Sequence, residues 1–421
     1  MKHFAIVGSG ISGLTAAYLL SKKHKVTVFE KNSHIGGHTA TVDIEKSARS
    51  YAIDTGFIVF NDKTYPNFLA LLSEIGIYKQ ATQMSFSVHN CKTGMEYNGH
   101  NVNTLFAQRR NIFKPKFWLL VKEILRFNKL CKAVFHKQNY QPGYSLGRFL
   151  SDNSFSDFFA EHYILPMGAA IWSSSLAQME EFEFRFFVQF FHNHGLLNIA
   201  DRPQWYVIPN GSRSYLAPLC QPFKDNIVLD AKISGVNRKD HKAELLFDDG
   251  RSQAFDEVIL ACHSDQALAL LNDATNDEKN ILSAMPYSTN SVVLHTDKAL
   301  LPKREKAWAS WNYQLSEDRS KAASVTYNMN ILQGIDSEHT FCVTLNQKEA
   351  INPDAILREF TYHHPIFSAQ SIMAQKQRKM ICGINHTHFA GAYWHNGFHE
   401  DGVRSAVEVA KRFDCYLELN S

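Results

Sequence analysis

The stretch FAIVGSGISGLTAAYLL, Phe4 to Leu20, leaves a chain few ways to fold. Phe4 to Val7 is an apolar run that reads as a buried parallel strand. Gly8, Gly10 and Gly13 follow as G-x-G-x-x-G, and the Ala/Leu-rich residues after them predict a helix to about Leu20. A second strand, KVTVFE, closes on Glu30, 20 residues past Gly10. Each residue of this frame has a physical task. Gly8 makes a tight turn, Gly10 lets backbone approach a pyrophosphate, and Gly13 permits close helix–strand packing. The helix N-terminus, with Ile11 and Ser12 in its first turn, stabilises phosphate charge. Glu30 would accept hydrogen bonds from a ribose diol and repel a 2′-phosphate; Lys31 beside it joins the candidate set. A glycine-rich turn that binds nothing is the bland alternative, and the strand–helix–strand–acid frame argues against it.

At 421 residues the chain is long for one domain and fits two that share a large core. A net charge of +3 is too small to imply nucleic acid. Seven cysteines are scattered, odd in number and never spaced C-x-x-C. That favours a reducing compartment over a disulfide framework, a zinc ribbon or a dithiol centre. No apolar run reaches membrane-spanning length, and a strand begins within a few residues of Met1, so a cytoplasmic protein without a signal peptide is the expectation.

A second glycine pair, Gly36-Gly37, follows the second strand, where it brings more backbone N–H groups to a diphosphate. ATVDIEKSARSYAIDTGF then reads as a short hairpin leading to Asp54-Thr55-Gly56. With Gly8, Gly10, Gly13, Glu30, Gly36, Gly37, Thr39, Asp54 and Gly56, the chain resembles the flavin-containing amine oxidases, protoporphyrinogen oxidases and phytoene-type desaturases. Their extended signature is G-x-G-x-x-G, an acid, G-G-R-x-x-[ST] and D-x-G; His38 stands where the arginine is usual. The resemblance implies FAD, held without a covalent link. It returns at IVLDAKISGVNRKDHKAELLFDDGRSQAFDEVILAC, where it places the backbone of Ile233 against adenine. It returns again at HTHFAGAYWHNGFHEDGVRSAVEVAKRF, where a strand ends at Gly391 and a helix runs from near Asp401 to Phe413. Amides around Gly402 and Val403 would then face the flavin pyrimidine. The acid usual after F-A-G is Ala392 here; Glu400 and Asp401 are the candidates to replace it.

The implied architecture is α/β. A Rossmann-type FAD/NAD(P)-binding domain is built from residues 1–85, 205–265 and 380–421. An α+β substrate domain is inserted as residues 86–204 and 266–379, the first insertion mostly helical and the second bearing strands at STNSVVLHTD, KAWASWNYQ, KAASVTYNMN and EHTFCVTLNQ. PMGAAIWSSS, NHGLL, RPQW, LHTD, WASWNY and GFHEDG look like a bacterial group of amine-oxidase-like proteins often found with cyclopropane-fatty-acyl-phospholipid synthase-like methyltransferases. That likeness makes a lipid acyl chain the expected substrate. The reaction would be hydride removal from a C–H bond to flavin, with oxygen, a quinone or a carrier as final electron acceptor. Amine oxidation is the alternative reading. Ser291 stands where amine oxidases carry a lysine, and the next lysine is Lys298. A non-catalytic FAD-fold binding protein is a third reading. The candidate pocket wall is Trp394 and Phe398, then His399, Trp308, Trp311, Tyr313 and Tyr327, although buried aromatics are more often core. No residue stands out as a catalytic base.

Several features admit plainer readings. GYSLG, Gly143 to Gly147, fits G-x-S-x-G, but no buried strand precedes it, so Ser145 reads as a helix cap. His386 and His388 share a strand face without an identifiable third metal ligand, which favours a structural role and no metal. Residues 109–137 carry nine Lys and Arg against one acid, Glu123, with apolar residues at helical spacing. That basic amphipathic helix reads either as a domain helix with a solvated face or as a peripheral dock on anionic lipid.

Overall fold

The computed structural model describes residues 1–137, 141, 143–198, 201–239, 241–315 and 318–418. Strand His3–Val7 stands at the centre of a five-stranded parallel sheet, with strands 25–29 and 227–228 on one side and 257–260 and 387–389 on the other. Phe4, Ala5 and Ile6 are fully buried, because helices and loops cover both faces of such a sheet. Strand order reverses next to His3–Val7. In open α/β sheets that switch point opens the crevice where ligands bind, at the carboxyl ends of the strands. Gly8, at φ +105°, marks the spot: a Cβ there would come within 2.8 Å of the Ala261 carbonyl oxygen on the neighbouring strand's exit.

Helix Ile11–Ser21 packs on the sheet through Leu14, Leu19 and Leu20, and the last helix, His399–Ala410, adds Val403 and Val407 to the same core. An antiparallel meander of strands 233–239, 242–247 and 252–255 flanks the sheet. The hairpin expected before Asp54 is formed by Thr41–Lys46 and Arg49–Asp54.

Both insertions share one seven-stranded sheet, ordered 356–365, 287–295, 342–345, 325–328, 311–315, 86–90, 95–98. Its pairs are antiparallel except 311–315 with 86–90. The four strands expected in the second insertion are present. The hairpin Phe86–Asn98 and the edge strand Ile356–Pro365 were not expected, because polar and histidine residues interrupt their apolar pattern. The rest of the first insertion is helical and packs a phenylalanine-rich core around Phe127, Phe149, Phe187 and Phe191. The boundary expected at 265/266 falls inside helix Ser264–Leu270. That helix and Asn276–Ser283 join the nucleotide-sheet core through Ala267, Ile281 and Leu282, so the break lies nearer residue 285.

Candidate functional site

Three glycine motifs, separate in sequence, pack as one cradle at the switch point. Gly10 caps helix Ile11–Ser21 without a side chain, and a Cβ built there meets nothing within 4 Å. The space in front of Gly10 is therefore clear at a positive helix end, next to the buried residues Ile11 and Ser12. Gly13 is different: its Cβ would overlap the Gly8 carbonyl oxygen, so only glycine lets the helix sit this close. Gly36 donates its N–H to the Ser9 carbonyl at 3.1 Å, and a Cβ on Gly37 would lie 3.1 Å from Gly10 Cα. The third motif locks on through Thr55 N–H to Ala40 O at 2.9 Å and Phe57 N–H to His38 O at 2.7 Å. Gly56 sits where any Cβ would overlap that same His38 oxygen.

The two acids of these motifs have different roles. Glu30 is buried and accepts four hydrogen bonds: Ser9 N–H at 3.0 Å, Ser9 Oγ at 2.6 Å, and Asn32 N–H and Nδ2 at 2.9 Å each. A carboxylate has about four lone-pair sites, so a ribose hydroxyl reaches Glu30 only in place of one donor. The Ser9 hydroxyl and the Asn32 amide are the two that can rotate away. Lys31 beside it is exposed. Asp54 is fully buried and accepts from Thr41 Oγ1 at 2.6 Å, Ser212 N–H at 2.8 Å, Ser212 Oγ at 2.9 Å and Gln333 Nε2 at 3.2 Å. Burial raises its carboxyl to about 6 against those donors. Asp54 is thus a knot between the hairpin, the 212–220 helix and the second insertion. Ile233 opens the meander on the Glu30 side, where Ala231 N–H donates to the Glu30 carbonyl at 2.8 Å.

The carboxy-terminal segment closes on the same place. Gly391 N–H donates to Ser405 Oγ at 2.8 Å, which pins the F-A-G turn to the last helix. A Cβ on Gly402 would fall 2.7 Å from Ile11 Cγ2 and 2.9 Å from Ser12 Oγ. Two helix N-termini therefore abut, with buried Val403 just behind. Neither acid proposed to replace the missing one is free. Glu400 accepts from Asn67 N–H, Asn67 Nδ2 and Phe68 N–H, capping helix Pro66–Glu74 from 332 residues away. Asp401 accepts from Phe398 N–H at 2.9 Å in its own helix's capping box, and burial raises its carboxyl to about 7. His399 is stacked on Phe57 with ring centroids 3.6 Å apart, and its Nε2 lies 2.8 Å from the Tyr215 hydroxyl, which also hydrogen-bonds Thr39. Burial pushes the His399 imidazole well below its usual value, so it is neutral.

Around His38 the edge strand missed from sequence brings further imidazoles. The His38 ring centroid lies 5.2 Å from Tyr362, 6.0 Å from His364 and 6.1 Å from His263. Burial lowers all three histidines, His263 and His364 to about 4. His38 Nε2 is buried without a hydrogen-bond partner among the described residues. Only the doublet His363-His364 in the sequence hinted at this cluster.

The aromatic wall candidates do not come together. Trp394 lies in the nucleotide-sheet core with the Arg378 guanidinium 5.3 Å above its ring, because the turn after Gly391 points it inward. Trp308 is held in its own loop by Nε1 donating to Pro302 O at 2.8 Å, with Lys298 over its ring at 5.8 Å. Tyr313 is core. Trp311 and Tyr327 face each other across adjacent strands, edge to face at 5.1 Å. Phe398 packs on Phe190 at 5.2 Å, joining the last helix to the phenylalanine-rich core; His399 belongs to the Tyr215 relay. Ser145 caps helix Leu146–Asp152. His386 and His388 both turn to Glu257, at 3.6 and 3.2 Å.

Residues 11–332 match the family of flavin containing amine oxidoreductases. The chain belongs to that family. Across the family fold, a CLA-producing fatty acid isomerase from P. acnes superposes with a TM-score of 0.70 at 16% identity, covering 98% of both chains. A putative protoporphyrinogen oxidase from Exiguobacterium sp. 255-15 gives 0.69 at 17% identity with the same coverage. Putrescine oxidase bound to putrescine gives 0.70 at 14% identity, covering 98% of this chain and 99% of that one. In sequence, a 1-hydroxycarotenoid 3,4-desaturase from Flavobacterium sp. is 35% identical over 98 residues, 23% of this chain and 18% of its own length.

As a member of this flavin family the chain is an oxidoreductase, and its residues fit the cofactor. Gly10 borders open space, two helix N-termini converge, and His38 Nε2 is an orphaned donor or acceptor beside them. Backbone amides at Ile11, Ser12 and Gly37 suit a diphosphate. The Gly36 N–H instead donates to Ser9 O at 3.1 Å and the Gly402 N–H to Phe398 O at 3.1 Å, so the expectation of ligand-facing amides there is not met. The amides left without a helix partner at the start of His399–Ala410 are those nearer His399.

Proposed function

We propose that the chain binds FAD without a covalent link and dehydrogenates a lipid-like, acyl-chain substrate. The observation that carries the nucleotide half is the contact of Gly37 with Gly10 beside the capping-free helix end, with Glu30 closing the second strand. This arrangement suits a dinucleotide diphosphate with a ribose beyond it. Bound flavin supplies the two-electron acceptor chemistry for a substrate C–H bond. The chain's own residues do the rest. Amides at the start of the last helix, before Asp401, would stabilise negative charge on a flavin ring placed against them. Phe398 and Phe190 exclude water, and neutral His399 keeps its hydrogen bond to Tyr215 and so holds the helix start in place.

The apolar substrate is supported by the neutral imidazoles and aromatic packing about the site. Ser291 is exposed on its strand and Lys298 lies over Trp308, which supports the lipid reading over amine oxidation. Reoxidation falls to oxygen, a quinone or an electron carrier. Anaerobic titration tests the reading. Bound flavin should bleach with a phospholipid bearing methylated or unsaturated acyl chains and not with primary amines. Bleaching by amines alone would replace the lipid assignment with amine oxidation.

A further inference from the structure

Helix Pro115–Lys137 and the turn before it carry an exposed face that the oxidoreductase site does not use. The helix buries Phe117, Leu120, Phe127 and Cys131 in the phenylalanine-rich core. On the outside, Phe113 is 85% exposed, Trp118 50%, Leu125 48% and Leu119 43%. Val102, 74% exposed, lies nearby, since Arg109 Nη2 hydrogen-bonds Asn103 Oδ1. Large apolar side chains this bare on one short segment are not scattered surface residues; they mark a contact surface.

Charge on the same face is one-sided. Arg109, Arg110, Lys114, Lys116, Lys122 and Lys129 are all exposed. From 99 to 137 the chain carries nine Lys and Arg and one carboxylate, a net +8. With +3 for the whole chain, the remainder is −5. That carboxylate, Glu123, is turned inward and accepts from Ser156 N–H at 2.9 Å and from Ser156 Oγ at 2.5 Å. The segment itself therefore exposes no carboxylate, and Asp201, from another part of the chain, borders it at the Leu125–Lys129 end. Trp118 adds a detail. Its Nε1 donates to the Ile112 carbonyl at 2.8 Å, so its half-bare ring can leave water without stranding a donor.

We propose that this face, residues 112–129, docks on an anionic bilayer surface. Phe113, Trp118 and Leu119 enter the headgroup–acyl boundary, and Lys114, Lys116, Lys122 and Lys129 lie level with lipid phosphates. The basic side chains keep apolar stems in the interface and charged heads at the phosphates. A helix of 23 residues, roughly 34 Å long, lies in the interface plane and does not cross it. Among the described residues no helix is long and apolar enough to span a membrane. Aliphatic Ile112, Leu119 and Leu125 between the charges favour a bilayer over nucleic acid, whose bases stack on aromatic rings. The inference is independent of the substrate: it concerns where the enzyme sits.

Co-sedimentation of the full chain with vesicles tests it. The protein should pellet with phosphatidylcholine–phosphatidylglycerol vesicles, several-fold less with phosphatidylcholine alone, and less again in high salt. Phe113→Ser, and separately Lys116→Glu with Lys122→Glu, should each weaken retention about tenfold, with thermal midpoints like the parent's. Trp118 emission should shift to the blue on vesicle addition, and Trp118→Phe should abolish that shift while leaving retention in place. In the Trp118→Phe background, Phe113→Trp should restore it. No retention on anionic vesicles would overturn the proposal. So would retention that none of the substitutions changes, or capture by RNA without vesicle binding.

Discussion

The Tyr215 hydroxyl stands 2.8 Å from His399 Nε2 and hydrogen-bonds Thr39, so one buried phenol ties the second glycine loop to the last helix. Tyr215 is fully buried, and burial keeps its hydroxyl protonated and His399 neutral. Tyr215→Phe leaves two buried groups without a partner. The expected cost is about 1–3 kcal/mol in urea unfolding, with weaker flavin retention. An unchanged denaturation midpoint would show that the relay contributes nothing.

Two glycines three residues apart separate folding from cofactor binding. A methyl at Gly10 meets open space, so Gly10→Ala should fold within about 0.5 kcal/mol of the parent yet lose colour, because the methyl enters the space we propose for the diphosphate. A methyl at Gly13 overlaps the Gly8 carbonyl, so Gly13→Ala should cost about 2 kcal/mol or more and lower soluble yield. Denaturation curves and the flavin-to-protein absorbance ratio read both.

His38 offers the orphaned ring nitrogen closest to the glycine loops. If it meets the diphosphate, His38→Ala weakens flavin affinity about tenfold or more, the worth of a hydrogen bond to a charged group. His38→Arg should restore it. Equal affinity in all three proteins, measured by fluorescence of released flavin, would place the diphosphate elsewhere.

A pH effect follows from Glu257 and His388, 3.2 Å apart on adjacent strands of the nucleotide sheet. Burial disfavours charge on Glu257, but hydrogen bonds from His388 and Lys2 outweigh it and hold the carboxyl at about 2. Burial also opposes charge on His388, yet Cys382 and Glu257 raise it above its usual 6.5. Glu257's contribution is complete above its unfolded value of 4.5 and is lost as pH falls toward 2. The contribution of His388 is complete below 6.5 and is lost as pH rises through its raised folded value. Glu257→Gln should therefore cost most between pH 4.5 and 6.5, about 3 kcal/mol, and progressively less on either side. A cost independent of pH would contradict the pairing.

What the sequence revealed was local. The first strand, helix and second strand are set by neighbours within thirty residues, and their periodicity names them. Gly36, Gly37 and Gly56 are legible for the same reason: backbone that must touch backbone excludes a side chain. Long-range partnerships were not legible. Tyr215 meets His399 across 184 residues and Glu400 caps Asn67 across 333; no local pattern marks either. Trp394 shows the limit from the other side. Its place beside the last helix was readable, but a single turn at Gly391 decides that it faces the core. His364 joins His38 only because the edge strand Ile356–Pro365 pairs with Tyr287–His295, a register set by tertiary contact, while His263 arrives separately as the cap of helix Ser264–Leu270.

The central claim is that the glycine loops and the last helix together hold FAD. The most direct measurement is the absorbance spectrum of protein purified from flavin-replete cells, followed by identification of what acid precipitation releases. The account predicts a yellow protein that dithionite bleaches and that releases intact FAD into the supernatant. Colourless protein that also fails to take up added FAD would contradict it.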